Sequence, residues 1–143
     1  MHPRIDVITL SVADLERSLG FYRALGFESP GIVGTEFVGD DRSPGGAAAM
    51  FDLRGGLILS LYGRDDLAKD AATPAPTASG AFSVGHLVST RAEVDELLAA
   101  ARSAGATVTD PPHERPWGIY SGYFRDPDGH LWEVIWNPRI EPG

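Results

Sequence analysis

A chain of 143 residues, 43% apolar and 22% charged, is long enough to bury one core of ordinary size. Its formal charge of −8, without a basic cluster, argues against nucleic acid and anionic membrane as partners, and the absence of cysteine removes disulfides, thiol catalysis and cysteine-held metals. There is no run of about 18 apolar residues and no charged start leading into an apolar segment, so a cytoplasmic address is expected.

Residues 5–12, IDVITLSV, read as a strand with Ile8, Leu10 and Val12 on a core face and Val7, Thr9 and Ser11 on the other. Asp14 is placed to cap a helix whose stripe is Leu15, Leu19, Tyr22 and Leu25, closing at Gly26. Phe27 to Gly46 is rich in Gly and Pro, with a short strand expected near Thr35–Val38, carrying Glu36, and a loop at Asp40–Gly46. Ala47–Leu53 and Gly56–Tyr62 read as a hairpin turning at Arg54-Gly55-Gly56. In its second arm Leu57, Leu59 and Leu61 share one face, leaving Ile58, Ser60 and Tyr62 on the opposite one. A short helix is expected over 64–70 and a linker over 71–80, AATPAPTASG.

Phe82–Ser89 restarts with a strand that holds His86 in its middle. Thr90-Arg91-Ala92-Glu93 is a capping box opening a helix with Val94, Leu97, Leu98 and Ala101 inward and Gly105 at its end. A strand near Ala106–Thr109 and a Pro-rich loop at Asp110–Pro116 follow. The stretch Trp117–Trp136 then reads as two strands joined at Asp126-Pro127-Asp128-Gly129, where Pro presets φ and Gly accepts a positive one. In the return strand Trp132, Val134 and Trp136 point one way, while Leu131, Glu133 and Ile135 point the other. Glu133 is thus the lone ionisable group between apolar neighbours. A buried charge there is costly unless answered, so it is a ligand, an acid/base, or a group satisfied by a partner elsewhere in the chain.

The halves repeat. Adding 79 sends Gly26 to Gly105, Leu15 to Val94, Leu19 to Leu98 and Val7 to His86, while aligning Gly56 with Gly129 sends Leu59 to Trp132 and Ser60 to Glu133. Each half reads as a strand, a helix and three strands. The expected fold is α+β, a single domain over 1–143 with one module at about 4–63 and a second at about 82–138.

This paired βαβββ pattern, opening VITLSVADLERSLGFYRALGF and closing YFRDPDGHLWEVIWNP, resembles the vicinal oxygen chelate superfamily. That group includes glyoxalase I, bleomycin-resistance proteins and extradiol dioxygenases. The resemblance implies two modules forming a cup-shaped curved sheet with helices outside, and a homodimer. It implies four cup-facing positions that carry metal ligands where a divalent metal is bound: Val7, Ser60, His86 and Glu133 here. Val7 and Ser60 do not suit a metal, so His86 and Glu133 are half of such a site, which His113, Glu36 or substrate oxygens would have to complete.

His86 and Glu133 are equally read as a catalytic acid/base dyad. Arg115, Trp117, Tyr120 and Tyr123 form a run suited to holding a flat or anionic ligand, with Ser60, Tyr62 and Val7 facing the same cup. His130, Asp126 and Asp128 are turn residues first, and His2 is terminal. The leading expectation is therefore a small-molecule binder or resistance protein without a complete metal site, or a metal-independent proton-transfer enzyme, with either no cofactor or a divalent metal ion. The rivals are a divalent-metal lyase, isomerase or dioxygenase, and a closed module that only pairs or regulates.

Overall fold

The computed structural model of the protein describes residues 1–76, 79 and 82–143. The chain divides into two compact units, Met1–Thr77 and Ala78–Gly143.

In the first unit the expected first strand is β1 (Val7–Val12), followed by helix α1 (Leu15–Ala24). The Asp14 carboxylate accepts the Arg17 amide at 3.0 Å, answering one of the free N–H groups that open the helix. Strands β2 (Ile32–Val33), β3 (Ala48–Asp52) and β4 (Ile58–Gly63) follow, then the short helix α2 (Arg64–Asp70). The sheet order is β1-β4-β3-β2, with β1 parallel to β4 and the other pairs antiparallel. Leu10 stands beside Leu61 and Ile8 beside Leu59, forming the face on which α1 packs. The Tyr22 ring lies 5.8 Å from both Phe27 and Phe51. Val7, Thr9 and Ser11, with Ile58, Ser60 and Tyr62, occupy the face turned from α1.

The short strand expected at 35–38 is absent. Extended pairing is confined to Ile32–Val33, and residues 35–36 turn instead. Gly34, at φ +73°, accepts the Phe37 amide at 3.1 Å and lies against the Gly46 carbonyl, so close that a Cβ would fall 2.2 Å from that oxygen. Glu36 is consequently exposed in a turn.

The second unit comprises β5 (Ser83–Leu87), α3 (Arg91–Ala104), β6 (Thr107–Glu114), β7 (Tyr120–Arg125) and β8 (Leu131–Trp136). Its order, β5-β8-β7-β6, repeats that of the first unit strand for strand. Thr90 Oγ1 accepts the Glu93 amide at 3.2 Å as the capping box requires, while Glu93 Oε2 reaches one residue further back than the N-cap and accepts the Ser89 amide at 2.8 Å. Val94, Leu98 and Ala101 are buried, and Gly105 closes the helix at φ +115°. Gly122 of β7 permits this packing, because a Cβ there would meet Leu98 Cδ1 at 2.5 Å.

One expectation for this unit is corrected. Asp110–Pro116 is not simply a loop, because β6 runs on through Pro111 and Pro112 to Glu114. It is the edge strand, so prolines without an N–H cost no ladder bond on its outer side, and two register shifts absorb the misfit. Of the expected linker, residues 71–76 contain no strand, while 77, 78 and 80 lie outside the described residues.

Candidate functional site

The hairpin of β7 and β8 is set by its turn. Asp126 Oδ1 accepts the amides of Asp128 and His130, both at 2.9 Å, and Gly129 adopts φ +89°. Asp126 and Asp128 are therefore turn formers, and His130 is buried with Nδ1 2.9 Å from Ser79 Oγ. This turn pairs Tyr123 with Glu133 and Ser121 with Ile135. Trp132, Val134, Gly122 and Phe124 then lie under α3, whereas Leu131, Glu133 and Ile135 share the opposite face with Ser121, Tyr123 and Arg125.

Glu133 is half-buried rather than enclosed, and it has partners. Ser121 Oγ donates to its Oε1 at 2.9 Å, and Tyr123 stands directly across from it in the strand register. Ser121, 0% exposed, in turn accepts Arg115 Nε at 3.0 Å. Arg115 gives Nη2 to Asp110 Oδ2 at 2.7 Å and lays its guanidinium over the Tyr123 ring, 5.5 Å from the centroid. His113 Nε2 is 3.1 Å from the same Asp110 oxygen.

The electrostatics follow these contacts. The Arg115 bond, then the His113 bond, holds the Asp110 carboxyl below its ordinary range. Burial, then the bond and charge of Glu133, pushes the Tyr123 phenol up. Trp117, in the turn after Arg115, is 74% exposed and held at φ +63°, a conformation disfavoured for a side chain of its size.

His86 does not join this cluster, and the expected dyad is corrected. The β5·β8 register places Gly85 beside Glu133 and His86 beside Val134, so the two predicted partners lie on opposite faces. Burial lowers the His86 pKa although much of the residue is exposed on its edge strand, and the charge of Glu93 on α3 acts in the opposite sense. The error lay in where the repeat was anchored. The N-caps Asp14 and Thr90 are 76 positions apart, as are Thr9 and Gly85, the partners of Ser60 and Glu133. From N-cap to terminal glycine is 12 positions in the first unit, Asp14 to Gly26, and 15 in the second, Thr90 to Gly105, so matching the glycines slides the first strand by three. An odd slip exchanges faces. His86 thus answers to Leu10, and Val7 to Ser83.

Tyr120 is likewise turned toward α3. It pairs with Trp136, donates to Asp95 Oδ1 at 2.8 Å and has Arg91 over its ring. In the first unit Val7 and Ser60 share a face as expected, Ser60 being buried across from Thr9 and Met50. Tyr62 donates to the Gly45 carbonyl at 2.6 Å and so ties down the loop before β3.

Sequence reasoning missed Ser121 and Asp110. Ser121 alternates with Tyr123, and pairing outward from the turn would have put it on the Glu133 face. Asp110 was obscured by the prolines after it.

Among the described residues, no group of three or more His, Asp or Glu side chains is arranged to hold a metal. Within the second unit, the side chains beside Glu133 are poor ligands for a divalent ion. They are two hydroxyls and a guanidinium, Gly85 supplies no side chain, and the register removes His86.

The profile of the Glyoxalase/Bleomycin resistance protein/Dioxygenase superfamily matches residues 4–134, and the chain belongs to that superfamily. Its fold is similar to that of a glyoxalase-related enzyme from Fulvimarina pelagi, with 27% identity, a TM-score of 0.81, and 99% of this chain and 93% of that one covered. A lactoylglutathione lyase from Agrobacterium tumefaciens is also 27% identical, with a TM-score of 0.63 over 94% and 93% of the two chains. A genomically encoded fosfomycin resistance protein from Listeria monocytogenes shares the fold at 21% identity, with a TM-score of 0.69 over 97% of each chain. A comparison with curated proteins gave no match.

Proposed function

We propose that the protein binds a small organic molecule on the face of the second sheet turned from α3, with Glu133 as the polar anchor. The observation that carries this reading is the carboxylate itself. It is half-buried on a face without a helix of its own unit, and is oriented by Ser121 and Tyr123. Next to Tyr123 on this face is a shallow, open depression of about 520 Å³ lined also by Phe82, Ser83, Thr109, Asp110, Arg125 and Leu131. Asp110, Tyr123 and Arg125 are its polar lining, Arg115 lies over the Tyr123 ring, and Trp117 supplies an exposed aromatic surface nearby in sequence.

The solved structures of similar fold include a lactoylglutathione lyase and a fosfomycin resistance protein. In a sequestering protein Glu133 fixes the ligand. In an enzyme it takes a proton from the ligand, without His86 and with no step requiring a metal. A cytoplasmic address and pairing with a second copy belong to this proposal as well.

The test has two arms. Protein purified without chelators is analysed for metals and titrated with zinc, nickel and manganese. Aromatic and dicarbonyl compounds are then titrated while Trp117 fluorescence is followed against a Trp117→Phe control. The expected result is ligand binding that Glu133→Ala weakens by about tenfold, in line with loss of one hydrogen bond to a charged group. Tight, stoichiometric metal binding lost in Glu133→Ala would instead establish the metal-dependent lyase, isomerase or dioxygenase reading.

A further inference from the structure

The links between Asp110 and Glu133 have a definite sense. A guanidinium carries donors and no acceptor. Arg115 therefore gives Nη2–H to Asp110 Oδ2 at 2.7 Å and Nε–H to Ser121 Oγ at 3.0 Å. Ser121 has one hydroxyl proton, and with Arg115 on its oxygen that proton goes to Glu133 Oε1 at 2.9 Å. The side chain is fully buried, so water does not offer it an alternative partner. Tyr123 stands across from Glu133 in the register, and its phenol is pushed up by burial and by that carboxylate. Glu133 is thus held as an acceptor, with lone pairs left for an incoming group.

The charges on this face sharpen the point. Arg115 gives its Nε–H to Ser121 and its Nη2 donors to Asp110 and the Ser121 carbonyl, so its charge is offset by the Asp110 carboxylate and only Nη1 is left to face a ligand. His113 also leans on Asp110. Arg125, the other cation on the face, stands two positions from Tyr123 toward the turn, about 7 Å along the strand. Its Nη1 donates to the carbonyls of Gly129 and Ser79. Beside these paired cations, Glu133 keeps acceptor capacity that a donor on the ligand can use.

Resting on the function proposed above, we infer that this site selects a ligand presenting a hydrogen-bond donor, a hydroxyl or a protonated amine, to Glu133, with Ser121 and Asp110 as positioning residues. Ser121 fixes the carboxylate directly, and Asp110 does so through Arg115. A ligand of the same shape that presents only acceptors sets oxygen lone pairs against a carboxylate and leaves both unsatisfied. A site built to bond a hydroxyl discriminates strongly against that analogue.

The test uses matched pairs of fragments with the whole chain: phenol and anisole, catechol and 1,2-dimethoxybenzene, benzylamine and benzoate. Binding is read from the backbone amide resonances of residues 121–123 and 131–135 in the wild type, Ser121→Ala, Asp110→Asn and Glu133→Gln. The donor of each pair should bind at least about tenfold tighter than its partner, the difference of one good hydrogen bond. That ratio should shrink in Glu133→Gln and Ser121→Ala, and less so in Asp110→Asn, a change of nearly equal size at a partly exposed side chain. The ratio is decisive, since general loosening would weaken both members alike. Equal affinities within pairs overturn the inference and leave the binding site standing. If no fragment moves these resonances, both the inference and the proposed binding face fall.

Discussion

Tyr123 reports on the carboxylate beside it. Its phenol is raised above the usual 10.0 by burial first, then by the bond and charge of Glu133. Glu133→Gln should lower the Tyr123 titration toward 10.0 without reaching it, because the burial contribution stays. Phenolate absorbance, corrected with Tyr123→Phe, measures this, and an unmoved midpoint would dissociate the two residues. The consequence for stability has a definite sign. Folding favours the neutral phenol, so its contribution is complete below about pH 10 and is lost as pH rises through the higher folded value. Glu133 was legible in the sequence because strand alternation isolates one carboxylate between Leu131 and Ile135. His86 was not, because its face depends on a count across a helix, and an error of three residues reverses it.

At the scale of the element, α3 and β7 are fitted to each other at Gly122. A methyl there would lie 2.5 Å from Leu98 Cδ1, 2.9 Å from the Asp110 carbonyl and 3.0 Å from Pro112 N. Two of these neighbours are backbone, which cannot swing away, so Gly122→Ala should destabilise the chain by about 1–3 kcal/mol through overpacking. Urea unfolding measures it, and a wild-type midpoint would show that the helix shifts freely. The capping box, the terminal glycine and the Asp-Pro-Asp-Gly turn were readable because each is a local device, completed within a few residues of chain. Strand β6 was not. Prolines argue against a strand in general but are tolerated on an edge, and edge position is known only once the sheet is assembled.

For the whole molecule, the net charge of −8 is a property of the composition and acts before any contact forms. In low salt at pH 7 the protein should pass unretained through a polyanion column and bind an anion exchanger. Retention on the polyanion would reveal a basic patch that the total conceals. The duplication also belongs to this scale. By themselves the residues determined two βαβββ modules, their helix caps, their hairpin turns and the carboxylate on the return strand, since periodicity and turn chemistry are written in neighbouring positions. Only the tertiary structure decided which side chains meet. It separated His86 from Glu133 and brought Ser121 and, through Arg115, Asp110 to the carboxylate. Facing and partnership depend on strand register, and register is fixed by the pairing of segments far apart in the chain.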